Sequence, residues 1–180
     1  MAKILILYAT VEGQTARIAS RLGQHLLAAG HSVQAVQAHP GSPIPSLAAY
    51  EAVLVGASVH YGHHPGFLAG ALKRQRDTLR SRPCAFFSVS LSADGPGAKP
   101  EAAGRYARTF LRRIGWQPHQ TATFGGALRY TQYPAWKRWL VGLFVRVAGG
   151  DTDQSRDYEY TDWRAVEQFA HAFDRSLVRA

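Results

Sequence analysis

Apolar positions fall along this chain in two rhythms, and their alternation predicts the architecture. Ile4-Leu5-Ile6-Leu7-Tyr8 is an unbroken apolar run of strand length, whereas residues 14–29 repeat apolar side chains at helical spacing until Gly30. The same exchange recurs downstream. Residues 33–37 read as a short strand followed by a Pro- and Gly-rich connection at 39–46, and residues 52–58 as a nearly continuous apolar strand. Residues 65–80 read as a helix with Pro near its start, 84–90 as a strand, 101–114 as a helix and 121–128 as a strand. A last helix spans 161–178, capped by Thr161 or Asp162, with Trp163 beginning its inward face. Strands separated by helices require a parallel sheet covered on both faces, so the expected fold is α/β: a doubly wound five-stranded parallel sheet. Residues 1–180 form one expected domain, with no internal repeat or low-complexity segment.

The connection from Arg129 to Tyr160 does not fit this alternation, and compact domains seldom leave so long a link idle. It is an expected insertion at about 129–160. Within it, residues 135–148 have helical spacing, with Trp136, Trp139, Leu140, Leu143, Phe144 and Val147 apolar and Lys137, Arg138 and Arg146 basic. Two readings stand: a helix lying in a membrane interface, or one packing its apolar face on the domain.

Charge sharpens this picture more than composition does. A 46% apolar and 18% charged chain is an ordinary folded protein, without an apolar run long enough to span a membrane and without a secretory signal, so a cytoplasmic location is expected. The single cysteine, Cys84, excludes an internal disulfide and reads as a buried small hydrophobe. The net charge of +9, however, calls for an anionic partner, and residues 99–150 hold nine Lys or Arg against one acid, Glu101. Anionic lipid or an acidic small molecule fits. Nucleic acid is not expected, because no recognition motif accompanies the charge.

The candidate chemistry begins at the end of the first strand. Thr10-Val11-Glu12-Gly13-Gln14-Thr15 is a hydroxyl- and glycine-bearing turn entering a helix N-terminus, where unpaired amides and the helix dipole favour an anion. No Lys follows the glycine and no further glycines stand at dinucleotide spacing, so neither the triphosphate loop nor the dinucleotide fingerprint is present. The turn suits one monoester phosphate, with an ordinary helix cap as the bland alternative. In a sheet of order 2-1-3-4-5 the first and third strands flank the switch point, and three loops converge there. The expected cofactor residues are Thr10, Val11, Glu12, Gly13, Gln14 and Thr15 from the first, Ser58, Val59, His60, Tyr61 and Gly62 from the second, and Ser90, Leu91 and Ser92 from the third. His60, His63 and His64 have a ligand-like spacing but no Cys or carboxylate beside them, so no metal is expected.

The chain resembles the flavodoxin-fold proteins and, within them, the menaquinone-dependent protoporphyrinogen oxidase family. The resemblance is carried by Tyr8-Ala9-Thr10-Val11-Glu12-Gly13-Gln14-Thr15, Gly56-Ala57-Ser58-Val59-His60-Tyr61-Gly62-His63 and Ala85-Phe86-Phe87-Ser88-Val89-Ser90-Leu91. It continues through Gly125-Gly126-Ala127-Leu128-Arg129-Tyr130, Gly149-Gly150-Asp151-Thr152-Asp153 and Tyr160-Thr161-Asp162-Trp163. The first block is common to flavodoxins, whereas the later ones and the basic insertion are more specific. The resemblance implies FMN as cofactor, oxidation of protoporphyrinogen IX to protoporphyrin IX in haem synthesis, and menaquinone or another membrane quinone as acceptor. It also implies a peripheral position on the inner face of the cell membrane, with residues 135–148 meeting its anionic surface. Arg129, Lys137 and Arg138 would meet the substrate propionates, and Tyr130, Tyr133 and Trp136 would offer flat apolar surface. Tyr130 and His60 are candidate proton carriers, with hydride transfer to the flavin alone as the alternative. Neither the catalytic groups nor the oligomeric state is assigned. Glu12 departs from the Thr or Ser usual in flavodoxins and is expected to face solvent, and Gly95-Pro96-Gly97 departs from a helix-initiating third loop. The rival functions are a flavodoxin-type electron carrier, against which the basic charge argues, and an NAD(P)H:quinone reductase.

Overall fold

The computed structural model describes residues 1–132, 134, 139, 145, 151 and 153–178. The apolar run after Ala2 forms β1 (Lys3–Ala9), which lies between β2 (Ser32–Gln37) and β3 (Ala52–Ser58), all parallel. Beyond β3 come β4 (Cys84–Ser90) and β5 (Gln120–Gly125), giving the expected order β2-β1-β3-β4-β5. Register places Ile6 opposite both Ala35 and Leu54, and Val55 opposite Phe86.

Alternate side chains leave opposite faces of a strand, so each face buries its own core. Leu5, Leu7, Val53, Val55 and Phe86 pack against α2 (Gly66–Arg74), α3 (Arg76–Arg80) and α4 (Pro100–Ile114). Ile4, Ile6, Leu54 and Phe87 pack against α1 (Gln14–Ala28) and α5 (Trp163–Val178). Both faces are therefore sealed along the central strands.

Two elements differ from the sequence expectation, each for a local reason. The helix expected over 65–80 breaks at Gln75, whose side chain leaves the helical path to bond the 45–47 connection. Its Oε1 accepts from Leu47 N at 2.8 Å, and its Nε2 donates to Pro45 O at 3.2 Å. The strand expected over 121–128 ends at Gly125, because the chain there passes against the Tyr160 carbonyl; a Cβ on Gly125 would lie 2.1 Å from that oxygen. The chain then turns away as β6 (Ala127–Leu128), which pairs antiparallel with β7 (Tyr158–Glu159) from within the long connection. Asp162 caps the last helix, accepting from Arg164 N and Ala165 N at 2.8 and 3.2 Å, while Thr161 is engaged elsewhere. The helix expected over 135–148 lies outside the described residues except for Trp139 and Val145.

Two positions test this packing. A Cβ on Gly56 would stand 2.1 Å from Phe87, a fully buried ring hemmed in by Phe124 and Phe169. Gly56→Ala should therefore destabilise the fold by about 1–3 kcal/mol. A Cβ on Gly23, inside α1, would meet Ile6 at an ordinary 3.5 Å, so Gly23→Ala should stabilise by about 0.4–1 kcal/mol. Urea titrations of both variants check the signs.

His64 supplies a pH test. It is buried between Phe86 and Phe110, with its Nε2 2.9 Å from Ser88 Oγ. Burial, reinforced by neighbouring His63, pushes its pKa from 6.5 down to about 4. Between those values the unfolded chain takes up a proton that the folded protein does not. Its stability contribution is complete above pH 6.5 and falls as pH drops, by up to about 3 kcal/mol at pH 4. Urea midpoints from pH 7 to 4 should fall more steeply for the wild type than for His64→Gln; parallel curves would refute this assignment.

Candidate functional site

The first loop folds tightly around Gly13. Thr10 Oγ1 accepts from Gly13 N at 3.0 Å, and Gly13 stands as N-cap of α1 with φ 86°. The glycine is needed for that left-handed backbone, and a Cβ there would meet no protein atom within 4 Å. A glycine cap brings no side-chain oxygen, so the N-cap residue itself leaves the α1 amides uncapped. One orientation in the turn differs from expectation. Val11 is 54% exposed, whereas Glu12, expected in solvent, is half-buried and part of the cavity wall.

The second loop is a two-residue hairpin. His60 and His63 exchange both backbone hydrogen bonds, at 2.8 and 3.1 Å, across Tyr61 (φ 48°) and Gly62 (φ 79°). Two successive left-handed residues are what a tight hairpin needs, but for Tyr61 the conformation costs about 1 kcal/mol. It holds the Tyr61 ring 77% exposed at the mouth, edge-on to His60 at 4.3 Å. The three histidines part company: His60 and His63 are exposed, and His64 is buried on Ser88. Among the described residues no three His, Cys, Asp or Glu side chains gather as a metal site.

In the third loop Ser90 O receives both Ala93 N and Gly126 N, joining the loop to the end of β5. Gly95 packs on the Tyr160 ring, where a Cβ would lie 2.6 Å away.

These loops enclose a cavity of about 330 Å³ at the carboxyl ends of β1, β3 and β4. That volume is at the lower end for small-molecule sites. Of the fourteen expected cofactor residues all but Gly13 line it: Thr10, Val11, Glu12, Gln14 and Thr15; Ser58, Val59, His60, Tyr61 and Gly62; Ser90, Leu91 and Ser92. The sequence reading missed Val89, Tyr106, Gly126, Ala127, Leu128 and Val145. The Gly125-Gly126-Ala127-Leu128 block carried a signal for three of them. Nothing local marks Tyr106, which reaches the cavity from the middle of α4.

The donor set inside the cavity is unusual for a folded interior. Thr15 Oγ1, Ser58 Oγ and Ser90 Oγ, one from each loop, are buried and have no hydrogen-bond partner among the described residues. Leaving a buried hydroxyl unpaired costs about 1–3 kcal/mol, and here three converge on one space. Together with the α1 amides they match a ligand bearing both a phosphate and a polar ring edge, so the residues present fit a flavin mononucleotide.

The residues expected at the substrate divide. The Arg129 side chain is about one-fifth exposed, with Nη2 donating to Gln14 Oε1 at 3.3 Å and Nη1 4.0 Å from Asp157. Its cation therefore stands beside the first turn of α1. Tyr130 is fully buried among Leu128 and Val145, and its hydroxyl donates to Asp151 O at 2.9 Å. The flat open surface and proton carrier expected there are corrected by this burial, which also raises its pKa. Tyr133, Trp136, Lys137 and Arg138 lie outside the described residues.

Residues 5–155 match the family described as the flavodoxin domain. The protoporphyrinogen IX dehydrogenase [quinone] of Escherichia coli (strain K12) is 37% identical over 98% of this chain and 99% of its own length. The Leishmania major protein of that name is 36% identical over 95% of this chain and 74% of its own. Among solved structures, oxidised flavodoxin 1 from Bacillus cereus superposes with a TM-score of 0.55 at 13% identity, covering 96% of this chain and 97% of that one. The last likeness concerns the fold alone. The chain belongs to the flavodoxin-domain family and, within it, to the quinone-dependent protoporphyrinogen IX dehydrogenases, which are oxidoreductases.

Proposed function

We propose that the cavity holds FMN and that the protein oxidises protoporphyrinogen IX to protoporphyrin IX, passing the electrons to menaquinone or another membrane quinone. The observation that carries the cofactor is the trio of buried unpartnered hydroxyls, Thr15, Ser58 and Ser90, on a single cavity. Bound FMN would supply two-electron redox chemistry. The protein supplies the placement. The first-turn amides of α1 and the hydroxyls of Thr10 and Thr15 hold the phosphate, Ser58 and Ser90 meet polar atoms, and Tyr61 and His60 flank the ring. By stoichiometry, six hydrogens leave each porphyrinogen and three quinones become quinols.

The substrate side is the flank built by residues 126–128 and Val145, where the insertion borders the cavity. Arg129, with Lys137 and Arg138, would engage propionates, and Tyr133 would offer the flat surface that Tyr130 does not. Residues 135–148 would place this flank on an anionic membrane at the inner face of the cell membrane. Trp139, 66% exposed, supports that reading. No helix among the described residues is long and apolar enough to cross a membrane.

Thr15→Val removes a hydroxyl without leaving one unpaired. It should weaken FMN binding by about 1.5–3 kcal/mol, a tenfold to hundredfold rise in Kd by flavin-fluorescence quenching, while the apoprotein's stability is unchanged or higher. Unchanged affinity would remove Thr15 from the phosphate site. The reaction is tested anaerobically in detergent with protoporphyrinogen and a quinone, following porphyrin fluorescence. A quinone-dependent rate above the non-enzymatic background is expected. Flavin uptake without that rate would leave an electron carrier.

A further inference from the structure

The basic charge belongs mostly to one layer of the fold. Between Lys73 and Arg113 the chain carries ten Lys or Arg against three acids, Asp77, Asp94 and Glu101, a net +7 within a total of +9. This stretch builds α2, α3 and α4, which cover a single face of the sheet. The opposite layer is balanced by contacts: Arg17 pairs with Glu159, Arg21 with Glu167, and His31 with Asp174 at 2.8 Å.

On the basic layer, pairing is sparse. Arg76 and Arg80 share Asp77 at 3.6 and 3.7 Å, and Arg82 turns inward to the carbonyls of Thr78, Leu47 and Tyr50. Among the described residues Arg105, Arg108, Arg112 and Arg113 are exposed and reach no carboxylate. Arg105, Arg108 and Arg112 fall on one stripe of α4, about 10 Å long at 1.5 Å per residue. Such a row of like charges is self-repulsive unless an anionic surface receives it.

The stripe starts on the cavity side of α4 at Arg105 and runs away from it, Arg108 and Arg112 standing near Gly115 and His119 at the other end of the sheet. Arg105 immediately precedes Tyr106, which lines the cavity wall. At the mouth stand exposed apolar side chains, with Tyr61 77%, Val11 54% and Leu91 39% accessible. A cationic face continuous with an apolar rim is complementary to a bilayer, whose headgroups take the charge and whose interface takes the rim. A phosphodiester duplex would use the cations and leave the rim in water.

We infer that the α2–α3–α4 face, led by Arg105, Arg108 and Arg112 and continued by the Tyr61–Leu91 rim, docks on an anionic phospholipid surface. It is a second membrane contact, independent of residues 135–148, and brings the Tyr61 edge of the mouth, which abuts α4 at Tyr106, to the bilayer surface. The inference rests on the reading that the electron acceptor is a membrane quinone.

The test uses the full FMN-loaded chain and vesicles of phosphatidylcholine alone or with about one-third phosphatidylglycerol, at about 0.1 M and about 1 M salt. Replacing Arg105, Arg108 and Arg112 together by Gln should weaken sedimentation with the anionic vesicles about a hundredfold, about fivefold per residue, and abolish most of its salt dependence. The control R21Q/R164Q/R175Q, on the balanced layer, should lose less than about tenfold. FMN content and turnover with a water-soluble quinone in detergent should match the wild type in both variants. Vesicle binding that survives the α4 substitutions and disappears only on deleting 135–148 would overturn the proposal. So would an α4-dependent preference for duplex DNA over the vesicles. Absence of porphyrin formation in detergent by the wild type would instead sink the enzymatic reading, and vesicle binding is scored separately from it.

Discussion

The burial of a parallel sheet on both faces is the constraint from which the rest follows. Ile4 to Leu7, Ala52 to Ala57 without its glycine, and Cys84 to Phe87 are at most 1% exposed, so no polar group can be presented from the faces of the central strands. Chemistry is confined to the strand ends. The order β2-β1-β3-β4-β5 then selects one end and one place, because the chain leaves β1 and β3 toward opposite layers and a crevice opens between their loops. The hydroxyls of Thr15, Ser58 and Ser90 are buried there because the first turn of α1 and the ends of β3 and β4 meet at that crevice, although their sequence separation is large.

A short buried hydrogen-bond chain holds this crevice to the far edge of the molecule. Gln14 Nε2 donates to Thr161 Oγ1 at 2.8 Å, and Thr161 donates to Gly125 O at 2.7 Å. Gln14 Oε1 accepts from Arg17 and Arg129, each at 3.3 Å. One amide side chain thus ties the first turn of α1 to the end of β5, to the residue before the last helix cap, and to the start of the insertion. The β6–β7 ribbon completes the join. Tyr160 packs on Gly95 and donates to Asp151 Oδ2 at 2.6 Å, so the third loop and the return of the insertion share one anchor. Burial and the adjacent Asp151 carboxylate both raise the Tyr160 pKa, keeping it a donor there across the physiological range.

Electrostatics divides along the same layers. The α1–α5 side pairs Arg17 and Arg21 with acids brought from distant segments, Glu159 and Glu167, whereas the α2–α4 side has few acids to offer. The net charge is therefore a directional property of the molecule, with the cavity mouth at the border of the charged side.

Local patterns in the chain were enough for the layered α/β fold and, once the order 2-1-3-4-5 implied by the flavodoxin resemblance was taken, for thirteen of the cavity-lining side chains. They were enough because unbroken apolar runs, helical spacing and the turn after β1 have a physical meaning that does not depend on what packs beside them. Tertiary structure decided what depends on neighbours distant in the chain. Gln75 breaks a helix to reach Pro45 and Leu47, Gly125 ends a strand against the Tyr160 carbonyl, and Tyr130 exchanges an expected open face for burial on Val145. Tyr106 enters the cavity only because α4 crosses beside Gly62, 3.7 Å from where that glycine's Cβ would be. Charge shows the difference most plainly. A count along the chain placed it in residues 99–150, whereas packing α2, α3 and α4 side by side turned a wider, discontinuous set into one face.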